Sequence, residues 1–385
     1  MTTAAPAARA AAAERAVSSR NLRRLLALPG TRLGLVGWPP TVSDRLFVRW
    51  HYWWQAQLLD CLVDAQLRAP DARRLTAIRR TVRGHRLRNG WRWTNAYFDD
   101  MAWWALALQR AVSVSGTPAD ARFTRAVDRL AGAVTEAWSD EAGGGIPWRR
   151  GDEFRNTPAN GPAAILLART GNLARAAAAA DWIDRRLRII DSDLIADGLR
   201  PGGSDGQVVV DRTVYTYCQG VVLGAELELV CGTGRDAARI HRLVAAIRRS
   251  LATPDGVLAG HGGGNGGLFT GILVRYLAQI ALRLPGDGFD DRRSRDSAAV
   301  MVIASADAAW QNAACADGLP VFAADWSCPS TLPGREGRGR ARGNAVVASS
   351  REPERDLSVQ LSGWMLMEAA ALISAAQRGD RGEGG

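Results

Sequence analysis

Two consecutive carboxylates, Asp99 and Asp100, stand in a run crowded with rings: Trp91, Trp93, Tyr97, Phe98, Trp103 and Trp104 all lie within sixteen residues. Neighbouring acids at a helix start place their Cβ atoms about 5–6 Å apart. That spacing suits chemistry in which one carboxylate attacks a carbon while the other, protonated, gives its proton to a leaving oxygen. The two tasks need opposite ionisation. A helix N-terminus favours an anion, and like charge in an apolar surround pushes the second proton's release upward. Taken alone, the pair has a second reading: an N-cap Asp followed by a solvated first-turn Asp. Trp103 and Trp104 likewise fit either a stacking platform or the core.

The elements that must position this pair are read from periodicity. Phe47, Trp50, Trp54, Leu58 and Val63 recur on one helical face behind Ser43 or Asp44 as a cap. A helix starts near Asp99, and others are expected over about 120–138, 156–169, 172–189, 213–230, 235–252, 266–283, 296–312 and 357–377. Gly143–Trp148 and the glycine-rich 191–211 read as loops, as does 329–354. Strand alternation is nearly absent. Paired helices joined by short and glycine-rich loops predict an all-α (α/α)6 barrel of helical hairpins, with residues 1–40 a flexible Ala/Arg-rich tail and 41–380 one catalytic domain.

Composition bounds the rest. Of 385 residues, 47% are hydrophobic and 23% charged, an ordinary globular balance, whereas 14 tryptophans are an excess. All 49 basic residues are arginine and the net charge is +10. Spread along the chain, they fit a coding bias better than a nucleic-acid face, and no nucleic-acid partner is expected. Five scattered cysteines without a CxxC pair, and four histidines without ligand spacing, predict no metal site and no cofactor. Buried free thiols are expected, with a Cys315–Cys328 bridge as the alternative. No segment reads as a membrane span. Leu25–Val36, broken by Pro29 and Arg32, makes a poor signal peptide, so the expectation leans to the cytoplasm, with secretion as the other possibility. His261-Gly-Gly-Gly-Asn265-Gly-Gly267 superficially resembles a phosphate loop, but lacks Lys-Ser/Thr after it and a strand before it, and reads as a rim loop.

Several segments together resemble glycoside hydrolase family 76, the bacterial and fungal endo-α-1,6-mannanases. Tyr97-Phe98-Asp99-Asp100-Met101-Ala102-Trp103 is similar to that family's aromatic-Asp-Asp-x-x-Trp core. Tyr215-Thr-Tyr217-Cys218-Gln219-Gly220 resembles its Tyr-Asn-Gln-Gly, with Cys218 in place of asparagine. Phe269-Thr270-Gly271 resembles its Phe-Lys-Gly, with Thr270 in place of lysine. Asn160–Gly171 and Leu194–Gly198 are weaker matches in the same order. The resemblance implies an (α/α)6 fold, no cofactor, Asp99 as nucleophile and Asp100 as acid/base, in a retaining hydrolase or transglycosylase acting on α-1,6-linked mannan or another mannose-containing glycan. Candidate substrate-binding residues are Asn95, Tyr97, Trp103, Asn160, Tyr217 and Gln219. An (α/α)6 enzyme for a different glycan and a non-catalytic glycan-binding protein are the alternatives. Oligomeric state is left open.

Overall fold

The computed structural model describes residues 4–115, 121–140, 143–202, 207–334 and 352–382. Most of the 329–354 loop expected from the sequence lies outside them. Among the described residues the chain forms thirteen α-helices: α1 Pro6–Arg20, α2 Val42–Arg45, α3 Tyr52–Arg68, α4 Ala72–Arg88, α5 Phe98–Ser115, α6 Ala121–Glu136, α7 Thr157–Arg169, α8 Leu173–Leu187, α9 Thr216–Thr233, α10 Ala238–Ser250, α11 Phe269–Arg283, α12 Phe289–Gln311 and α13 Leu357–Gly382. Seven short strands accompany them: β1 Leu22–Arg23, β2 Leu33–Gly34, β3 Arg155–Asn156, β4 Gly198–Gly202, β5 Gln207–Asp211, β6 Ala314–Ala316 and β7 Leu319–Val321. All pairings are antiparallel, in the orders β1-β2, β3-β4-β5 and β6-β7. Part of the glycine-rich 191–211 segment is thus a hairpin rather than loop.

The contacts divide the chain into two compact units. The first holds 1–91, 252–278 and 299–385; the second holds 92–251 and 279–298. In the first, α13 packs on α1 and α3, and α3 on α4. The first unit holds two helices that the sequence did not lead one to expect. Residues 6–20, expected within a flexible tail, are a helix whose Ala10, Ala13, Ala16 and Val17 are buried. Alanines supply a flat apolar face that composition alone does not distinguish from a tail. The arginine-rich stretch 72–88 is α4, held through Ile78, Thr81, Val82 and His85. Helix α13 is long and apolar enough to cross a membrane over Leu357–Gly379, contrary to the expectation from the sequence, yet that stretch is mostly buried as the core of this unit.

In the second unit, hairpins α5/α6, α7/α8 and α9/α10 stand side by side through α5, α7 and α9. Helix α9 is buried almost all round from Thr216 to Val230, and α7 from Thr157 to Leu167. Helices α6, α8 and α10 bury one face each, such as Phe123, Val127, Leu130 and Val134 on α6. Their polar faces point outward, the amphipathic arrangement of a covering helix. Helices α7 and α9 come close because Gly161 has no side chain: a Cβ there would sit 2.3 Å from Val221 Cγ2.

One device recurs. The fourth residue of α3, α7, α9 and α13 is a glutamine or asparagine whose amide pairs with both backbone polar groups of one distant residue. Gln55 accepts from Gly34 N–H (2.8 Å) and donates to its carbonyl (3.0 Å). Asn160 does so with Ile146 (2.8 and 2.9 Å), Gln219 with Ile195 (2.8 and 2.9 Å), and Gln360 with Phe322 (3.0 and 3.0 Å). The second amide hydrogen goes to a carbonyl just before each helix: Trp50, Asn156, Tyr215 or Glu354. Each clamp satisfies loop groups that burial would otherwise leave unpaired.

Candidate active site

Asp99 and Asp100 are the second and third residues of α5, in its first turn, where unpaired backbone N–H groups face outward. The helix entry is held by a short ladder. Phe98 N–H donates to the Trp148 carbonyl (2.9 Å), Arg150 N–H to the Ala96 carbonyl (2.8 Å), and Trp148 N–H to the Phe154 carbonyl (2.7 Å). The segment bearing Trp148 therefore lies against the start of α5.

The two acids have different partners. Asp99 accepts from the Asp100 backbone N–H at Oδ1 (2.8 Å) and from the Trp148 indole N–H at Oδ2 (3.0 Å). Asp100 Oδ2 accepts from Asn95 Nδ2 (2.6 Å), while Asn95 Oδ1 accepts from Tyr97 N–H (2.9 Å). Burial raises the Asp99 carboxyl to about 7, against the pull of its two donors. Burial also carries Asp100 well above the usual carboxylate range, and the Asp99 charge pushes it further the same way. Asp99 is thus the easier to ionise and Asp100 the one that keeps its proton. Two groups this close release protons as a pair, so the ordering is the meaningful quantity.

Two further residues join them that were not among the candidate site residues, although Asp197 lies in the matched Leu194–Gly198 segment. Trp148 is the indole donor to Asp99, and its ring meets Tyr97 edge-on at 5.2 Å. Asp197 is a third acid and itself buried, 9% exposed, raised to about 7 by burial and then by the Asp211 charge, with Asp99 adding a smaller push. The Cys218 thiol lies 3.8 Å from its Oδ1, a weak donor where the resembled family has an amide. Spacing gave no signal for either residue: Trp148 reaches Asp99 across 49 residues of chain.

The candidate binding residues divide accordingly. Tyr97 is partly exposed beside Trp148, with the Arg149 guanidinium 6.0 Å from its ring. Tyr217 is buried, and its hydroxyl is pushed well up by burial, with Cys218, Asp197 and Asp99 adding to the rise. Asn95 spends its amide on Asp100 and the Tyr97 backbone. Three expectations are corrected. Trp103, at 5% exposure, is core rather than a platform. Asn160 and Gln219, both fully buried, commit their amide oxygen and both amide hydrogens to the backbone and have no donor left for a sugar. Their clamps act at one remove: Ile146 precedes Trp148 by two residues, and Ile195 precedes Asp197 by two. In the other unit, Thr270 donates to the Ala259 carbonyl at 2.7 Å. The thiols are corrected as well. All five are free, and Cys231, Cys315 and Cys328 are exposed. Among the described residues no cluster of His, Cys, Asp or Glu could hold a metal ion.

This arrangement offers a proton-holding acid beside a more easily ionised one, flanked by aromatic rings. Among known structures, the α-1,6-mannanase GH76A of Salegentibacter sp. HEL1_6 is 27% identical, with a TM-score of 0.79, covering 96% of this chain and 100% of its own. Its inactive variant, with two consecutive aspartates changed to asparagine and α-1,6-mannotriose bound, matches at 27% identity, TM-score 0.78 and the same coverage. A family 76 mannosidase from Bacteroides thetaiotaomicron VPI-5482 is 15% identical at TM-score 0.71 over 97% of this chain and 100% of its own, a likeness of fold. No curated protein sequence matches. The fold class is the all-α (α/α)6 barrel of these enzymes, 63% helical. The model of Glycosyl hydrolase family 76 matches residues 30–331, and the chain belongs to that family.

Proposed function

We propose that this protein is a retaining glycoside hydrolase or transglycosylase that cleaves α-1,6-linked mannan with Asp99 as nucleophile and Asp100 as acid/base. The observation that carries the reading is the split between the two acids: Asp99 holds two N–H donors, Asp100 has one amide and the Asp99 charge beside it. Donors on both oxygens make Asp99 the first of the pair to ionise, and a carboxyl facing that anion keeps its proton. The substrate class rests on the likeness to the Salegentibacter enzyme and its mannotriose-bound variant.

In the first step an Asp99 oxygen forms a bond to the anomeric carbon as the glycosidic C–O bond breaks. The departing oxygen takes the Asp100 proton. Asp100, now a carboxylate, removes a proton from water or from a sugar hydroxyl. That oxygen then bonds to the anomeric carbon and the bond to Asp99 breaks, which restores both acids. Tyr97 and Trp148 offer ring faces for the sugar beside the pair, and Tyr217 and Asp197 border it.

The test is incubation with defined α-1,6-mannooligosaccharides. Shorter products from the wild type, with loss of at least about 10²-fold in Asp99→Asn and in Asp100→Asn, support the reading. Full activity in either variant refutes it. Tight binding with no product would favour the non-catalytic alternative, which the two family departures at Cys218 and Thr270 motivate.

A further inference from the structure

We propose that the first unit carries a docking surface for an anionic phospholipid bilayer, formed by Leu26 and Leu28 on the β1–β2 turn and by Arg24, Arg32, Arg80 and Arg83 around it. The surface is independent of the function proposed above.

The charge is one-sided already in the sequence. From Arg15 to Leu59 the chain has seven arginines and one acid, Asp44, which is buried and paired with Arg355. Helix α4 has seven arginines and no acid. Folding brings the two stretches together. Arg32 N–H donates to the Arg80 carbonyl at 2.9 Å, and a Cβ on Gly84 would sit 2.3 Å from the Arg32 carbonyl oxygen. Burial, then the positive charges of Arg80, Arg24 and Arg23, hold the Arg32 guanidinium below its ordinary value. Among the described residues no acid pairs with Arg24, Arg32, Arg80 or Arg83. Like charges gathered without a counter-ion repel, so the cluster points to an anion outside the chain.

Charge alone would suit any polyanion, and the turn decides between them. Leu25 is buried with Leu33, Leu35 and Phe47 in one core cluster. The next four residues, Leu26 to Pro29, are all exposed, Leu26 by 54% and Leu28 by 42%. Leu26 and Ala27 hold left-handed backbone, with φ of 45° and 61°, a region that non-glycine residues seldom adopt. Hydrogen bonds keep them there. Leu28 N–H donates to the Leu25 carbonyl (2.8 Å), and the Thr31 hydroxyl donates to the Leu28 carbonyl (2.7 Å) while accepting from Leu25 N–H (3.1 Å). An apolar tip is thus fixed outward beside the guanidinium cluster. A nucleic-acid backbone would take the charge and leave the leucines in water. A bilayer takes both, since the guanidiniums meet anionic head groups as the leucines enter the acyl boundary.

The test is sedimentation of the full chain with vesicles of phosphatidylcholine alone and of phosphatidylcholine mixed equally with phosphatidylglycerol. The protein should bind the anionic vesicles and not the neutral ones, and added salt should weaken that binding. Arg24→Gln/Arg80→Gln/Arg83→Gln should weaken it about 10²-fold, about fivefold for each charge. Leu26→Ser/Leu28→Ser should weaken it about tenfold and leave the affinity for duplex DNA unchanged. Both variants change side chains at the surface, so their thermal transitions should match the wild type. Failure to bind anionic vesicles would overturn the proposal. So would tighter binding to duplex DNA than to the vesicles, or a leucine variant that binds vesicles as the wild type does.

Discussion

Trp148→Phe tests the electrostatic core of the mechanism without touching either acid. Phenylalanine keeps a ring against Tyr97 but removes the N–H that reaches Asp99 Oδ2 at 3.0 Å. A hydrogen bond to a charged group is worth about 1.5–3 kcal/mol, and each pKa unit corresponds to about 1.4 kcal/mol. Asp99 keeps its second donor, the Asp100 N–H, and is partly exposed. The low end of that range therefore applies, a rise of about one unit. The lower titration of the pair starts near 7. Since Asp99 must be ionised to attack, the acidic limb of kcat/KM should move up from near 7 toward about 8, with about a tenfold loss on the acid side. The alkaline limb, set by Asp100 giving its proton, should move less. The assay is a pH–rate profile on a soluble α-1,6-mannooligosaccharide. An acidic limb that stays in place, with activity merely scaled down, would refute the assignment of Trp148 as the donor that holds Asp99 ionised.

Asp99→Asn should change stability with a definite sign. The folded pKa lies above the unfolded value of about 3.9, so ionisation penalises the fold as pH rises from about 4 through about 7. The variant should therefore gain in Tm over wild type at pH 8 and show little gain at pH 4; thermal scans at both values check it. Asn160→Ala and Gln219→Ala each remove three hydrogen bonds and orphan a buried N–H. Each should lose about 2–5 kcal/mol in urea denaturation. Cys231, Cys315 and Cys328 should react with a disulfide reagent such as DTNB in the native protein, and Cys61 and Cys218 only after unfolding.

What the sequence made legible is what it carries locally. Asp99 and Asp100 are adjacent, their rings lie within a few residues, and α5 through α10 show either clear amphipathic faces or long apolar runs. The (α/α)6 class follows from that alternation of buried and half-buried helices. The failures are of two kinds. Helices α1 and α4 were hidden by composition, since one buries alanines and the other carries its small apolar face among arginines. Asn160 and Gln219 were found as polar residues at helix starts, but their partners lie 14 and 24 residues away, so a clamp looked like a ligand contact. Trp148, and the place of Asp197 within the matched Leu194–Gly198 segment, are hidden for the same reason. Each sits two residues beyond a clamped isoleucine, and nothing in the local sequence marks a loop that another helix holds in place. The four clamps share the fourth position of their helices, a regularity that the differing flanking sequences conceal.

The stereochemistry of the first product tests the central claim most directly. Adjacent acids acting by double displacement return the configuration they started with. Proton NMR during hydrolysis of an α-1,6-mannooligosaccharide should show the α-anomer of the new reducing end first, with the β-anomer growing in only by mutarotation. Initial appearance of the β-anomer would contradict attack by Asp99 and the division of labour between the two acids.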